Sequence, residues 1–273
     1  MTQLVALIGN PLKRRHSEIM HNAAFRHFSI DAGYELRELQ GEAVPAFVGE
    51  SRRPPWMGFQ VTAPFKRMVM EYLDEIEPGA RQIGSVNSVL RQPDGTLVGF
   101  NTDAPGFQRA AESELNIRFA GIRAAVAGAG GAARAVVHAL VAGGAAQVTI
   151  CDLLPSRASD LADESGDSAR AVEVGDAFEG ALGRVNLAVN ATTVGMIERG
   201  VAFDVAKLPD SAVVFDLVYN PPESELLQRA RARGLPATNG LGMLVGQAEI
   251  AFERWTGLSN AGPVMRKALA AGL

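Results

Sequence analysis

Residues 124–152 read AAVAGAGGAARAVVHALVAGGAAQVTICD, and this stretch decides how the rest of the chain is organised. Ala124–Ala127 is a short apolar run that breaks into Gly128, Gly130 and Gly131, after which Ala132–Leu140 repeats apolar residues at helical spacing. A second apolar run, Val148–Cys151, ends at Asp152, 21 residues after Gly131. Strand, tight turn, helix, strand and terminal acid in this order predict a dinucleotide site. One glycine permits the turn, one lets the backbone approach a pyrophosphate, and one brings helix against strand. Backbone N–H groups at the helix start then face the phosphates, and Asp152 stands where an acid holds a ribose. A glycine triplet alone would fit a plain βαβ crossover equally well; the second strand and its acid favour the dinucleotide.

At 273 residues the chain exceeds the usual single core and predicts about two domains. With 47% hydrophobic and 21% charged residues it has an ordinary globular composition. A net charge of -4 and a pI near 5.7 give no electrostatic case for nucleic acid or an anionic membrane as partner. The one cysteine, Cys151, cannot form an internal disulfide, which suits a reducing cytoplasm, and at a strand end it reads as a packed thiol. Leu4–Ile8 opens as a strand without a charged leader and cleavage site, and no apolar run approaches the roughly 20 residues that span a bilayer. His16, His21, His27 and His138 lack ligand spacing, so no metal is expected. These readings point to a cytoplasmic protein with a small-molecule partner, as a monomer or homodimer.

Working outward, the N-terminal part alternates strands and helices. Leu4–Ile8 is a strand, Gly9–Pro11 a turn, and Ser17 with Glu18 starts a helix that runs through His27. Tyr34–Leu39 and Met57–Val61 read as strands around a helix at Ala43–Ser51. Pro64 suits the first turn of a helix continuing to Leu73. Val86–Arg91 and Thr96–Phe100 flank the turn Pro93–Gly95, and a helix begins near Pro105. Because this part carries no glycine fingerprint, it reads as a separate α/β substrate domain. Beyond Asp152, Arg157–Glu164 and Glu223–Arg233 are helical, Ala171–Val174, Leu187–Ala191, Val213–Val218 and Ala237–Thr238 are strands, and two helices close the chain at Met243–Thr256 and Pro263–Ala271. Ligands of open α/β sheets collect at the carboxyl ends of strands, which groups Asn190, Leu217 and Tyr219 with Gly128.

Nine motifs then fall in one order: GNP (Gly9–Pro11), Ser17 with MHN (Met20–Asn22), VTAPFK (Val61–Lys66), SVNSV (Ser85–Val89), NTD (Asn101–Asp103), GAGGAA (Gly128–Ala133), NATTVGM (Asn190–Met196), DLVYNP (Asp216–Pro221) and GLGMLVGQA (Gly240–Ala248). In these the chain resembles the shikimate dehydrogenase family, which includes quinate/shikimate dehydrogenases. The resemblance implies two α/β domains around a cleft: a substrate-binding domain of residues 1–104 and 240–273, and a Rossmann-type dinucleotide-binding domain of residues 105–239. It implies Lys66 as the ionisable group beside the reacting hydroxyl, with Asp103 its partner. Ser17 and Tyr219 would hold the substrate carboxylate, and Thr62, Asn87, Asp103 and Gln247 the ring hydroxyls. Gly128, Ala129, Gly130, Gly131, Ala132, Asp152, Leu217 and Gly240 would line the cofactor, together with Arg157, Asn190 and Thr192.

The implied chemistry suits these residue types. Hydride transfer to or from a carbon bearing oxygen requires a proton to move on that oxygen, and a lysine beside a carboxylate can move it. An ammonium also stabilises a developing alkoxide. Three positions depart from the family pattern: Arg15 stands for the first serine of S-x-S, Gln60 for the asparagine before VT, and Asp152-Leu153-Leu154 for the Asn-Arg-Thr of NADP-dependent members. The last favours NAD, with NADP open through Arg157 or Arg134. The expected activity is reversible reduction of 3-dehydroshikimate to shikimate, or of the quinate analogue. A dinucleotide-binding sensor or scaffold that lost turnover, and a two-domain dehydrogenase acting on a folate, stand as alternatives.

Overall fold

The computed structural model describes residues 2–272, and the chain divides into two compact units, one formed by the residues up to Thr102 with those from Val245 onward, the other by Asp103–Leu244. The first unit contains β1 (Gln3–Gly9), α1 (His16–His27), β2 (Ala32–Glu38), α2 (Val44–Glu50), β3 (Trp56–Val61), β4 (Glu75–Ile76), α3 (Pro78–Ile83), β5 (Ser88–Arg91) and β6 (Leu97–Phe100). Its sheet has the order β2-β1-β3-β5-β6-β4. β1 runs parallel to β2 and β3, whereas β5 is antiparallel to both β3 and β6. The carboxyl ends of β1, β3 and β6 therefore share one edge with the amino end of β5.

Side chains of β3 alternate between the two faces of this sheet. Phe59 packs with Phe47 and Trp56 in one apolar core, the Phe47 ring 5.2 Å from Phe59 and 5.3 Å from Trp56. Gln60, next along, turns to the other face and meets Tyr34 and Gln247.

A continuous helix from Pro64 to Leu73 does not form. The residue before proline is biased away from the helical region, and Phe65 N–H closes a turn on the Thr62 carbonyl at 3.0 Å. Only a 3-10 turn, Met68–Tyr72, follows. β4 and α3, of two and six residues, are too short to show a period and have no counterpart in the sequence reading.

The second unit runs α4 (Asp103–Leu115), β7 (Arg123–Ala127), α5 (Gly131–Ala142), β8 (Gln147–Cys151), α6 (Pro155–Ser165), β9 (Ala169–Ala171), α7 (Asp176–Leu182), β10 (Leu187–Asn190), β11 (Val213–Asp216), α8 (Glu225–Ala232) and β12 (Ala237–Asn239). α9 (Leu241–Thr256) continues into residues of the first unit, and α10 (Gly262–Gly272) ends the chain. The six strands are all parallel in the order β12-β11-β10-β7-β8-β9, a doubly wound Rossmann-type sheet whose winding reverses between β7 and β10. Helices cover both faces, so its central strands are buried along their length: every residue of β10 and β11 is buried, and all of β7 after Arg123. The edge strand expected at Ala171–Val174 lies earlier, as β9, because its pairing runs from Val148↔Ala169 to Ile150↔Ala171. α7, seven residues with Gly180 inside, was not anticipated.

Candidate active site

At the reversal of the parallel sheet, β7 ends in Gly128, whose φ of +105° only glycine adopts readily, and a Cβ there would lie 2.8 Å from the Ala191 carbonyl that follows β10. The glycine loop is thus pressed against the β10 loop. Gly130 stands before α5 without a side-chain cap, and a Cβ on it would meet nothing within 4 Å. The open N–H groups of Gly131 and Ala132 and the bare backbone in front of them fit a pyrophosphate. Asp152, after β8, is not the cap of α6; Leu154 is, and makes no side-chain cap bond. One Asp152 carboxylate oxygen accepts the Ala129 N–H at 2.8 Å and the other the Leu154 N–H at 2.9 Å. The carboxylate therefore faces the glycine loop with a lone pair on each oxygen left for a ribose hydroxyl. These residues fit a dinucleotide.

Arg134 and Arg157 are the two cations that the sequence leaves open for a 2′-phosphate. Arg134 is buried and forks onto Glu164 of α6, one of its bonds measuring 3.2 Å, so it braces α5 against α6. Arg157 stays exposed on the first turn of α6. Leu153 is 82% exposed where the NADP pattern has arginine.

The other loops at this edge interlock. Asn190 is buried and uses its whole amide within the fold: Oδ1 accepts the Thr192 N–H and hydroxyl, and Nδ2 donates to the Val194 carbonyl and to Asp216. Asp216, at the end of β11, also accepts the Val218 N–H and the Ser224 hydroxyl, and burial raises its pKa. Asp216 lies in the DLVYNP motif without an expected role, and its acid character at a strand end is the one signal the sequence carries for it. Leu217 N–H bonds the Asn190 carbonyl at 2.9 Å, and a Cβ on Gly240 would lie 2.1 Å from the Leu217 carbonyl. Asn190, Leu217 and Gly240 thus form one row. Tyr219 is half-buried in the loop after β11. Cys151 is buried, its thiol pushed up to about 12 chiefly by burial, and is inert.

In the first unit, the shared sheet edge gathers Thr62, Lys66 and Asn87. Val61 N–H bonds the Asn87 carbonyl, and Val86 N–H the Lys66 carbonyl, both at 2.9 Å, so the VTAPFK turn is fastened to the SVNSV strand entry. Asn87 is buried, its Oδ1 2.9 Å from Thr102 N–H and its Nδ2 3.0 Å from the Thr102 hydroxyl. Gln247 of α9, also buried, has Oε1 beside that hydroxyl and 2.9 Å from Gln60 Nε2. Ser17 is half-buried in the first turn of α1, and Tyr34, buried on β2, donates its hydroxyl to Gln60 at 2.6 Å, burial pushing the phenol pKa up. Asp103 is buried at the head of α4. Arg15 turns outward, its guanidinium forked onto Glu18 at 2.6 and 2.7 Å with the side chain 73% exposed. Gln60 and Tyr34 were not among the expected site residues. Among the described residues no group of three or more histidines, cysteines or acids is arranged to hold a metal, and no helix is long and apolar enough to cross a membrane.

Comparison with known proteins agrees with this architecture. Residues 7–89 match the shikimate dehydrogenase substrate binding domain, and residues 240–270 the shikimate 5′-dehydrogenase C-terminal domain. A shikimate dehydrogenase (NADP(+)) of a Geobacillus species is 38% identical over 261 residues, 94% of each chain. The crystal structure of shikimate 5-dehydrogenase from Thermus thermophilus, in complex with NADP(H) and shikimate, superposes with a TM-score of 0.89 at 37% identity, over 99% of this chain and 100% of that one. The quinate dehydrogenase of Corynebacterium glutamicum in complex with NAD does so with a TM-score of 0.92 at 33% identity, over 99% of both chains. Motif order, fold and relatives agree: the chain belongs to the shikimate dehydrogenase family of oxidoreductases.

Proposed function

We propose that the protein is a shikimate/quinate-type dehydrogenase. It moves a hydride reversibly between a nicotinamide dinucleotide, NAD in preference to NADP, and a ring hydroxyl or ketone of a hydroxylated cyclohexane or cyclohexene carboxylate. The second unit takes the dinucleotide. The observation that carries this reading is the Asp152 carboxylate turned onto the head of the glycine loop, where its remaining lone pairs would accept from ribose hydroxyls. A 2′-phosphate there would set about two negative charges against that carboxylate, with Leu153 and Leu154 offering no donor. Family relatives support the nicotinamide in both forms, the Thermus enzyme with NADP(H) and the Corynebacterium enzyme with NAD.

The bound nicotinamide supplies or accepts the hydride. This chain's residues do the rest. Lys66 gives or takes the proton at the reacting ring oxygen and stabilises negative charge there, with Asp103 as its partner. Ser17 and Tyr219 hold the carboxylate, and Thr62, Asn87, Asp103 and Gln247 the ring hydroxyls. Backbone N–H groups of Gly131 and Ala132 at the start of α5 would hold the pyrophosphate, and Gly128, Ala129, Gly130, Leu217, Gly240 and Arg157 would line the cofactor. Asn190 acts through the Thr192 loop that it shapes.

Absorbance at the nicotinamide band tests this. Wild type turns over on addition of shikimate or quinate, and Lys66→Ala lowers kcat roughly 100-fold with a smaller change in KM. Near wild-type turnover in that variant removes Lys66 from the chemistry. No ring-acid-dependent signal from wild type favours the binding-only alternative.

A further inference from the structure

A buried chain of side chains crosses the first unit: Tyr34, Gln60, Gln247, Thr102 and Asn87. One of its donors is a backbone N–H. The Thr102 backbone N–H can only donate, so the Asn87 atom 2.9 Å away is the carbonyl oxygen and Asn87 turns Nδ2 onto the Thr102 hydroxyl at 3.0 Å. That hydroxyl has Asn87 Oδ1 at 3.3 Å and Gln247 Oε1 at 3.4 Å as acceptors for its one proton, the Gln247 oxygen lying at the inner end of its amide. Gln60 meets that oxygen with Nε2 at 2.9 Å, which leaves Gln60 Oε1 for the Tyr34 hydroxyl at 2.6 Å. Tyr34 is fixed as the donor at the far end. Burial keeps its phenol protonated, and the ring is stacked on His21 with centroids 4.6 Å apart and planes 7° from parallel.

Gln60 also pairs with Ser88 in the β3–β5 register, its Nε2 3.5 Å from the Ser88 hydroxyl, and at 3% exposure its amide draws its partners from the fold. It stands where the family pattern has asparagine, and the extra methylene gives it the reach to Gln247. We propose that Gln60, backed by Tyr34, is a positioning residue that holds Gln247 with its carboxamide oxygen inward, so that Gln247 offers N–H donors, not an acceptor, to the ring hydroxyls. The selectivity this confers is for a ring oxygen that accepts a hydrogen bond at that position, as a ketone or a hydroxyl committed elsewhere as donor does.

This inference rests on the reading of Gln247 as a ring-acid contact, and the experiment separates the two. Four variants are compared by kcat and KM for whichever of shikimate and quinate wild type uses better: Gln247→Ala, Gln60→Leu, Tyr34→Phe and the double variant Gln60→Leu with Gln247→Ala. Gln247→Ala is expected to raise KM about 10-fold, and Gln60→Leu and Tyr34→Phe about 5-fold with kcat within about twofold, the size of one lost hydrogen bond. In the double variant KM equals that of Gln247→Ala alone, because a residue acting through Gln247 has nothing left to act on. A merely structural role for Gln60 multiplies the two effects instead, and that outcome overturns the proposal. So does a KM within twofold of wild type for both Gln60→Leu and Tyr34→Phe while Gln247→Ala raises it. An unchanged KM in Gln247→Ala overturns the underlying reading, and the proposal with it. If Gln60→Leu does not fold, Tyr34→Phe combined with Gln247→Ala runs the same cycle.

Discussion

Arg15 carries the sharpest departure at the scale of single residues. In place of a small hydroxyl the chain has a long cation that lies outward and grips Glu18. The exposed pair contributes little to stability. Arg15→Ser is therefore expected to leave the melting temperature within about 2 °C of wild type and, by restoring a short donor beside Ser17, to raise kcat/KM for shikimate several-fold. An unchanged or lower kcat/KM would mean that the missing serine does not limit shikimate use. Departures such as Arg15 and Asp152 were legible as letters, but not their consequences. Whether an arginine forks onto a substrate or onto a glutamate three residues away depends on the direction of one helix turn. Arg134 shows the same limit: its reach toward a phosphate was open in the sequence, and the packing of α5 on α6 turns it onto Glu164.

On the scale of elements, α1 is pinned by a histidine that never charges near neutrality. His21 is enclosed by Tyr34, Phe252 and Trp255, the last at 5.3 Å, and burial lowers its pKa from 6.5 to about 3. The unfolded chain takes up a proton below pH 6.5 while the folded one does not until near 3, so this contribution is whole above 6.5 and lost as pH falls between those values. Burial lowers His16 and His138 with the same sign, and Asp216, raised, has the opposite one. Chemical unfolding should show His21 taking roughly 2–3 kcal/mol from stability between pH 7.5 and 4.5. His21→Phe should have a correspondingly shallower acid limb; an identical limb would show that other groups carry it. Long periodic elements were readable, including the whole unit from β7 to β8. The turn after β3, the two-residue β4 and the seven-residue α7 were not, because a short segment is shaped by partners distant in sequence, such as the Val86 N–H on the Lys66 carbonyl.

Across the whole molecule, the two sheets do one thing in common: each collects motifs far apart in sequence at one edge. In the parallel sheet the loops after β7, β8, β10, β11 and β12 meet there, which is why GAGGAA, Asp152, NATTVGM, DLVYNP and Gly240 are spread over more than a hundred residues and still form one site edge. Motif order was sufficient to foresee that gathering. The buried chain through Gln60 was not foreseen, since a motif names residues and not which amide atom meets which partner.

Under the proposed function the carboxylate after β8, and not a neighbouring cation, chooses the dinucleotide. This is tested by kcat/KM of wild type for NAD and for NADP at a saturating ring acid, alongside Asp152→Asn with Leu153→Arg. The account predicts a clear preference for NAD in wild type, about 10-fold or more, from charge repulsion of the 2′-phosphate, and a shift toward NADP in the double variant. A wild-type kcat/KM higher with NADP would contradict it and assign the pocket to Arg157.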